Sequence, residues 1–236
     1  MMRDGIPGTL VTVALLTNLV MYTAAIVFLG IISFIVRPAL FNNFGAPSKT
    51  LIIFGFAFLL TLLTIFILLI FKKGLMHGLC RFAVKLAAKL HLVRHADKKL
   101  ESLNKKMENY SEHASMMAGK GKVLLWVFLF NLLQRACQIA VAAFTYLAEG
   151  GDLSGAVDVF FTQTNVTLGS HCIPIPGAMG VTDYLMLDGF EDLSVANPAF
   201  LELLSRSLSF YICIFICGVA TLGAFCVLSK KRRAKK

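Results

Sequence analysis

Charge is scarce in this chain. Only 15% of its 236 residues are charged and 57% are hydrophobic. A soluble domain carries about 25% charged and about 45–50% apolar residues. Too little polar surface is left to solvate a globule of this length. The apolar residues are also gathered into long runs, as in segments that cross a bilayer. Other absences narrow the chemistry. None of the six cysteines forms a C-x-x-C pair, so the zinc and redox motifs with that spacing are missing. Cys213, Cys217 and Cys226 fall in an apolar helix, where a free cysteine acts as a small hydrophobe. The N-terminal apolar run is far longer than the core of a signal peptide, and no short cleavage site follows it. Gly119-Lys120-Gly121-Lys122 lacks the rest of a P-loop and reads as a helix cap at the interface. His91 and His95 sit four apart with Asp97 close by, but zinc usually takes more ligands. No Ser/His/Asp arrangement and no paired catalytic carboxylates stand out. No cofactor and no metal are expected.

Positive charge is present but unevenly placed. The net charge is +10, and 12 of the 23 Lys and Arg lie between Lys72 and Lys122. Six more fill Lys230–Lys236, while Glu149–Pro198 holds no Lys or Arg and seven acidic residues. Basic residues near helix ends stay on the cytoplasmic side. The two basic segments therefore face in and the acidic one faces out. Basic charge beside a membrane attracts anionic lipid heads, and nucleic acid is not expected as a partner.

Four apolar segments are long enough to span, at about 9–36, 50–71, 122–147 and 198–228, each exceeding the roughly 20 residues needed. Arg37-Pro38 ends the first, because proline disfavours a helical predecessor. Asn197-Pro198 starts the last, a cap followed by proline at the first helical position. With the tail and Lys72–Lys122 inside, the N-terminus is also inside. The predicted fold class is all-α: a polytopic membrane helix bundle, a single domain over 1–236, with a broken or re-entrant segment and a cytoplasmic helical hairpin. The re-entrant segment, about 154–190, is moderately apolar but spotted with Asp158, Gln163, Asn165 and His171. It reads as a half-helix that dips in and turns back at Ile173–Gly180, with two short full spans as the alternative. Irregular backbone at membrane depth needs protein or water around it. Asn165-Val166-Thr167 matches a glycosylation sequon, but the segment reads as buried.

The cytoplasmic hairpin occupies 73–118. Leu75, Leu79, Phe82, Leu86, Leu90 and Val93 recur at helical spacing, with Arg81, Lys85 and Lys89 on another face. That pattern suits a basic amphipathic helix at the interface. Leu100, Leu103, Met107, Tyr110, Ala114 and Met117 repeat the spacing. Two helices covering the inner mouth of the bundle is the plainer reading, a lipid sensor the sharper one.

Three features carry chemistry. Pro174, Pro176, Gly177 and Gly180 break any helix, and Asp183 follows at once. Such a break at membrane depth either marks a substrate site or is a simple turn. Arg135 lies near the middle of the third span with Asn131, Gln134 and Gln138 within a turn. Arg206 lies about two turns into the last, flanked by Ser205, Ser207 and Ser209. An arginine in lipid must face a partner or a watery cavity. Asp158, Asp183 and Glu202 are the candidate partners. Each arginine either fixes helix packing through an ion pair or binds a phospholipid phosphate with its planar guanidinium.

The run Ile173–Asp183, followed by Ser205-Arg206-Ser207-Leu208-Ser209-Phe210-Tyr211 and later Gly218, resembles the transmembrane region of lysylphosphatidylglycerol synthases. This is the flippase-like domain of the multiple peptide resistance factor family. Its pattern is a proline–proline–glycine turn ending in an acidic residue, then an arginine-bearing final helix ending near a glycine. Pro174, Pro176, Gly177, Gly180, Asp183 and Arg206 match it. Two positions depart. The acidic residue is usually Glu and here is Asp183, one methylene shorter. The position after Gly177 is often Gly and here is Ala178. The likeness covers most of the chain and is strongest from about Lys122 onward. Relatives usually carry further spans ahead of the first one here, which implies a chain short at its N-terminus.

The resemblance implies two activities. Full-length relatives join a soluble domain, which transfers lysine from lysyl-tRNA to phosphatidylglycerol, to a membrane domain that moves the product outward. The 236 residues end directly after the last span, without a stretch for the soluble domain. The expectation is therefore binding and translocation of anionic or lysyl-modified phosphatidylglycerol, contributing to resistance to cationic antimicrobial peptides. Phosphatidylglycerol lysyltransferase, or its non-catalytic membrane subunit, is the alternative. Arg206, Arg135, Asp183 and the Pro174–Gly180 turn would form the lipid site, with Arg206 on the phosphate. Asp183 would either fix Arg206 or meet the lysyl ammonium. The implied partners are the lipid, the membrane, a separate soluble aminoacyl transferase and a second copy of the chain.

Overall fold

The computed structural model describes residues 8–71, 121–173, 178–191, 193 and 197–233. The 73–118 hairpin expected from the sequence lies outside the described residues, as do Pro174, Pro176 and Gly177. The described residues are helical and contain no strand. Four helical stretches are long and apolar enough to cross a membrane: Val11–Val36, Ala46–Leu68, Gly121–Ala148 and Pro198–Phe225. The fold is an all-α polytopic membrane helix bundle.

The helices are α1 (Gly8–Val36), α2 (Pro38–Asn43), α3 (Ala46–Phe71), α4 (Gly121–Ala148), α5 (Leu153–Ser170), α6 (Val181–Glu191) and α7 (Pro198–Arg206). A π turn at Ser207–Tyr211 then leads into α8 (Ile212–Arg233). Their boundaries have local causes. Arg37 leaves the helical region at φ −135°, ψ 61°, and Pro38 opens α2, as expected for a residue ahead of proline. Asn197 caps α7 by accepting a bond from the Phe200 N–H at 3.2 Å, with Pro198 next. The third helix starts at Ala46, four residues ahead of the expected Thr50. Pro47 is tolerated there because the first turn needs no N–H partner within the helix.

Two compact units can be distinguished: Met1–Phe28 with Ala57–Gln134, and Leu29–Phe56 with Arg135–Lys236. In the first, Asn131 of α4 donates to the Asn18 side chain of α1 at 3.1 Å and to its own helix at the Val127 carbonyl. Phe28 and Phe128 meet edge to face, with ring centroids 5.9 Å apart. An amide bridge between helices in an apolar setting contributes about 0.6–2 kcal/mol.

The second unit is built around α5. Asp152 caps that helix, accepting from the Ser154 and Gly155 N–H groups. Along α1 and α5 the partners run in opposite directions. Arg37 meets Asp158, Ser33 meets Asn165, and Gly30 faces the Leu168 side chain. Gly55 of α3 lies against the Leu168 carbonyl, and Gly169 against Leu185 of α6 and Ile52 of α3. Leu168 is thus level with a residue six positions before the end of α1 and one nine positions after the start of α3. At about 1.5 Å per residue those offsets are about 9 and about 14 Å. The C-terminal end of α5 therefore stops partway along both helices. The chain then returns: α6 runs back until Gly189 packs against Phe44 and Asp188 accepts the Gly45 N–H at 2.9 Å. The helices α5 and α6 thus form an antiparallel pair whose facing ends, Ser170 and Val181, lie at the end farther from Gly45. Val159, Thr162, Asn165, Val166, Leu168 and Gly169 of α5 are buried.

Candidate functional site

The foot of the hairpin combines a strained turn with an ion pair. Gly180 caps α6: its carbonyl accepts the Tyr184 N–H at 2.9 Å, and its own N–H donates to Asp183 Oδ2 at 2.8 Å. Gly180 has φ +82° and open space where a Cβ would stand, so glycine serves the backbone angle and not a close contact. Ala178 is also left-handed, at φ +44°. This is the position at which the chain departs from the glycine often found in the family it resembles. A side chain there costs about 1–2 kcal/mol relative to the right-handed region.

The other oxygen of Asp183 pairs with Arg206 Nη1. Arg206 ends α7 and is only 6% exposed. The Phe210 ring lies over its guanidinium, 5.8 Å from Cζ to centroid. Ser205 and Ser207, on either side of it, turn their hydroxyls back onto the Leu201 and Leu203 carbonyls, so neither flanking hydroxyl competes for the guanidinium. The π turn begins directly after Arg206. Single wide turns of this kind are frequent at functional sites.

Arg135, the other arginine within a span, is half-buried and donates to Gln138 on its own helix at 2.6 Å. Its charge also acts on His171, which follows α5 directly. Two of the carboxylates considered for it are engaged elsewhere, Asp158 with Arg37 at 3.3 Å and Asp183 with Arg206. The polar stripe of α4 divides: Asn131 faces inward to Asn18, while Gln134 and Gln138 are exposed. Asn165, in the sequon, is 1% exposed and accepts from Ser33.

Arg37 was read from sequence only as part of a helix break and His171 only as a polar spot, neither as a site residue. A signal for Arg37 existed, because it is a cation directly after the end of a long apolar run. His171 donates from Nδ1 to the Thr167 carbonyl at 2.6 Å, a local bond that offers no recognisable spacing. A cavity of about 380 Å³ lies farther along α6, lined by Tyr184, Asp188, Glu191 and Asn197 among others. It includes none of Arg206, Asp183 and Arg135.

No curated protein and no solved structure matches the chain. The family described as Lysylphosphatidylglycerol synthase TM region matches residues 1–228. An arginine in the last span, an acidic residue at a proline–glycine turn and this match over nearly the whole length agree, and the chain belongs to the lysylphosphatidylglycerol synthase transmembrane-region family.

Proposed function

We propose that this protein binds anionic or lysyl-modified phosphatidylglycerol at the foot of the α5–α6 hairpin and helps it cross the cell membrane. In this reading both termini are cytoplasmic and the hairpin enters from the outer side. Outward movement of the lysylated lipid lowers the attraction of the surface for cationic antimicrobial peptides.

One observation carries the proposal. Arg206 is a buried cation in a long apolar span whose other charged residue is Glu202, at the foot of a helical pair that reaches only partway along its neighbours. Keeping such a charge is costly, and intramembrane arginines mark substrate paths. A guanidinium matches a phosphate in shape and charge, and a broken helix gives a headgroup a route past the apolar core. Arg135 would supply a second positive charge, and Pro174, Pro176, Gly177 and Gly180 complete the proposed site.

The test is movement of labelled lysyl-phosphatidylglycerol in proteoliposomes containing the full chain. Transport is expected with the native sequence and not with Arg206→Ala or Asp183→Asn. Unchanged transport in both variants removes the site. Lysylation of lipid by the purified chain and lysyl-tRNA would instead favour the lysyltransferase. Co-purification of a soluble aminoacyl transferase would favour the membrane-subunit role.

A further inference from the structure

We infer that Asp183 is a built-in competitor for the phosphate site, so that a lipid phosphodiester reaches Arg206 only by displacing that carboxylate. The inference rests on the reading of Arg206 as the phosphate ligand and concerns how that site is regulated.

Three features point to exchange. The two partners are unequally accessible: the Arg206 side chain is 7% exposed and that of Asp183 37%. Phe210 covers the guanidinium over its ring face. An approaching anion therefore meets the Asp183 carboxylate first, at the Nη1 edge it needs. The second feature is charge. A buried guanidinium stripped of its anion is strongly disfavoured, so the resting site is neutral, and one anion must replace another as the site fills. The third is the other end of Asp183. Its Oδ2 holds the Gly180 N–H, at a turn where Ala178 and Gly180 are both left-handed. Loss of the Arg206 contact thus leaves Asp183 anchored to the hairpin turn. Headgroup binding at Arg206 and the attachment of the turn to the last span become alternatives. Release of the lipid is driven by return of the same carboxylate.

A site closed by its own anion has lowered apparent affinity. If the guanidinium is available in about one molecule in ten, binding is weakened about tenfold. Removing the charge of Asp183 should therefore tighten binding while stopping transport, the reverse of losing an ordinary binding residue. Asn, and with shorter reach Ser, keep an oxygen that can accept the Gly180 N–H from the third residue of α6, the backward bond of a capping box, so both variants preserve the start of α6.

The experiment titrates short-chain phosphatidylglycerol, and separately inorganic phosphate, into the full chain in phosphatidylcholine nanodiscs. Native protein, Asp183→Asn, Asp183→Ser, Asp183→Glu and Arg206→Ala are compared. The expected result is binding about tenfold tighter in Asp183→Asn and Asp183→Ser than in the native protein, with no gain in Asp183→Glu, which keeps the charge. Tightening for the lipid alone identifies the headgroup as the displacing anion; tightening for inorganic phosphate as well identifies the phosphate group itself. Equal or weaker binding in both neutral variants, with native binding still lost in Arg206→Ala, overturns the exchange and leaves the lipid site standing. Native binding that is absent, or unaffected by Arg206→Ala, removes the site and the exchange with it.

Discussion

Arg37 and Asp158 are joined across α1 and α5 at 3.3 Å, Nε to Oδ1, with side chains 43% and 25% exposed. The pair fixes where the hairpin helix crosses the end of the first span. Exposed ion pairs contribute about 0–1 kcal/mol, so Arg37→Ala should lower stability by no more than about 1 kcal/mol. Thermal unfolding of detergent-purified protein measures it. A coupling well above that in a double-mutant cycle with Asp158→Ala would mean the pair is more shielded than its exposure indicates.

Glycine at position 55 governs a closer approach. A Cβ there would run into the backbone carbonyl of Leu168, whereas one at Gly218 would meet nothing within 4 Å. Gly55→Ala should cost about 1–3 kcal/mol by forcing α3 and α5 apart. Gly218→Ala should be neutral or stabilising by up to about 1 kcal/mol, since alanine favours the helix. Similar melting temperatures for the two variants would refute the tight packing of the hairpin end.

Ala178 pays a backbone penalty that a glycine avoids. Ala178→Gly should be neutral or stabilising by about 1 kcal/mol, the relief of φ +44° being partly offset by glycine's greater freedom in the unfolded chain. Ala178→Val should destabilise, because a β-branched residue tolerates that region worse. The order Gly ≥ Ala > Val in melting temperature checks both; Val equal to Ala would show that the turn is not left-handed.

Asp188 caps the start of α3 from a distant helix through the Gly45 N–H. Asp188→Ala should cost about 0.5–2 kcal/mol and Asp188→Asn less, as for other helix caps. Equal losses in the two would assign the effect to charge instead of capping.

These relationships mark what was legible in the sequence. The long apolar helices, the break at Arg37-Pro38 and the start at Asn197-Pro198 follow from hydrophobicity, proline geometry and a local cap, all set by neighbouring residues. The glycine-to-alanine departure at 178 was visible, but its meaning needed the φ angle. Partner choice was not legible. Asp158 was a candidate for Arg135 or Arg206 and is held by Arg37, because pairing depends on the depth at which helices cross. The same holds for the early start of α3, whose cap lies 143 residues away, and for the π turn, which no local pattern announces. Of the site residues chosen from sequence, Arg206, Asp183 and Gly180 meet at one place. Arg135 donates to Gln138 on its own helix, and its charge acts on His171 at the end of α5.

The central claim is that lipid passes by way of the Arg206 guanidinium. Its most direct test is the rate at which labelled lysyl-phosphatidylglycerol moves across proteoliposomes carrying native protein, Arg206→Lys or Arg206→Ala. Lysine keeps the charge but loses the planar fork. The expected result is a reduced rate with Arg206→Lys and a rate equal to protein-free vesicles with Arg206→Ala. Native rates in Arg206→Ala, in protein that melts as the native chain does, would contradict it.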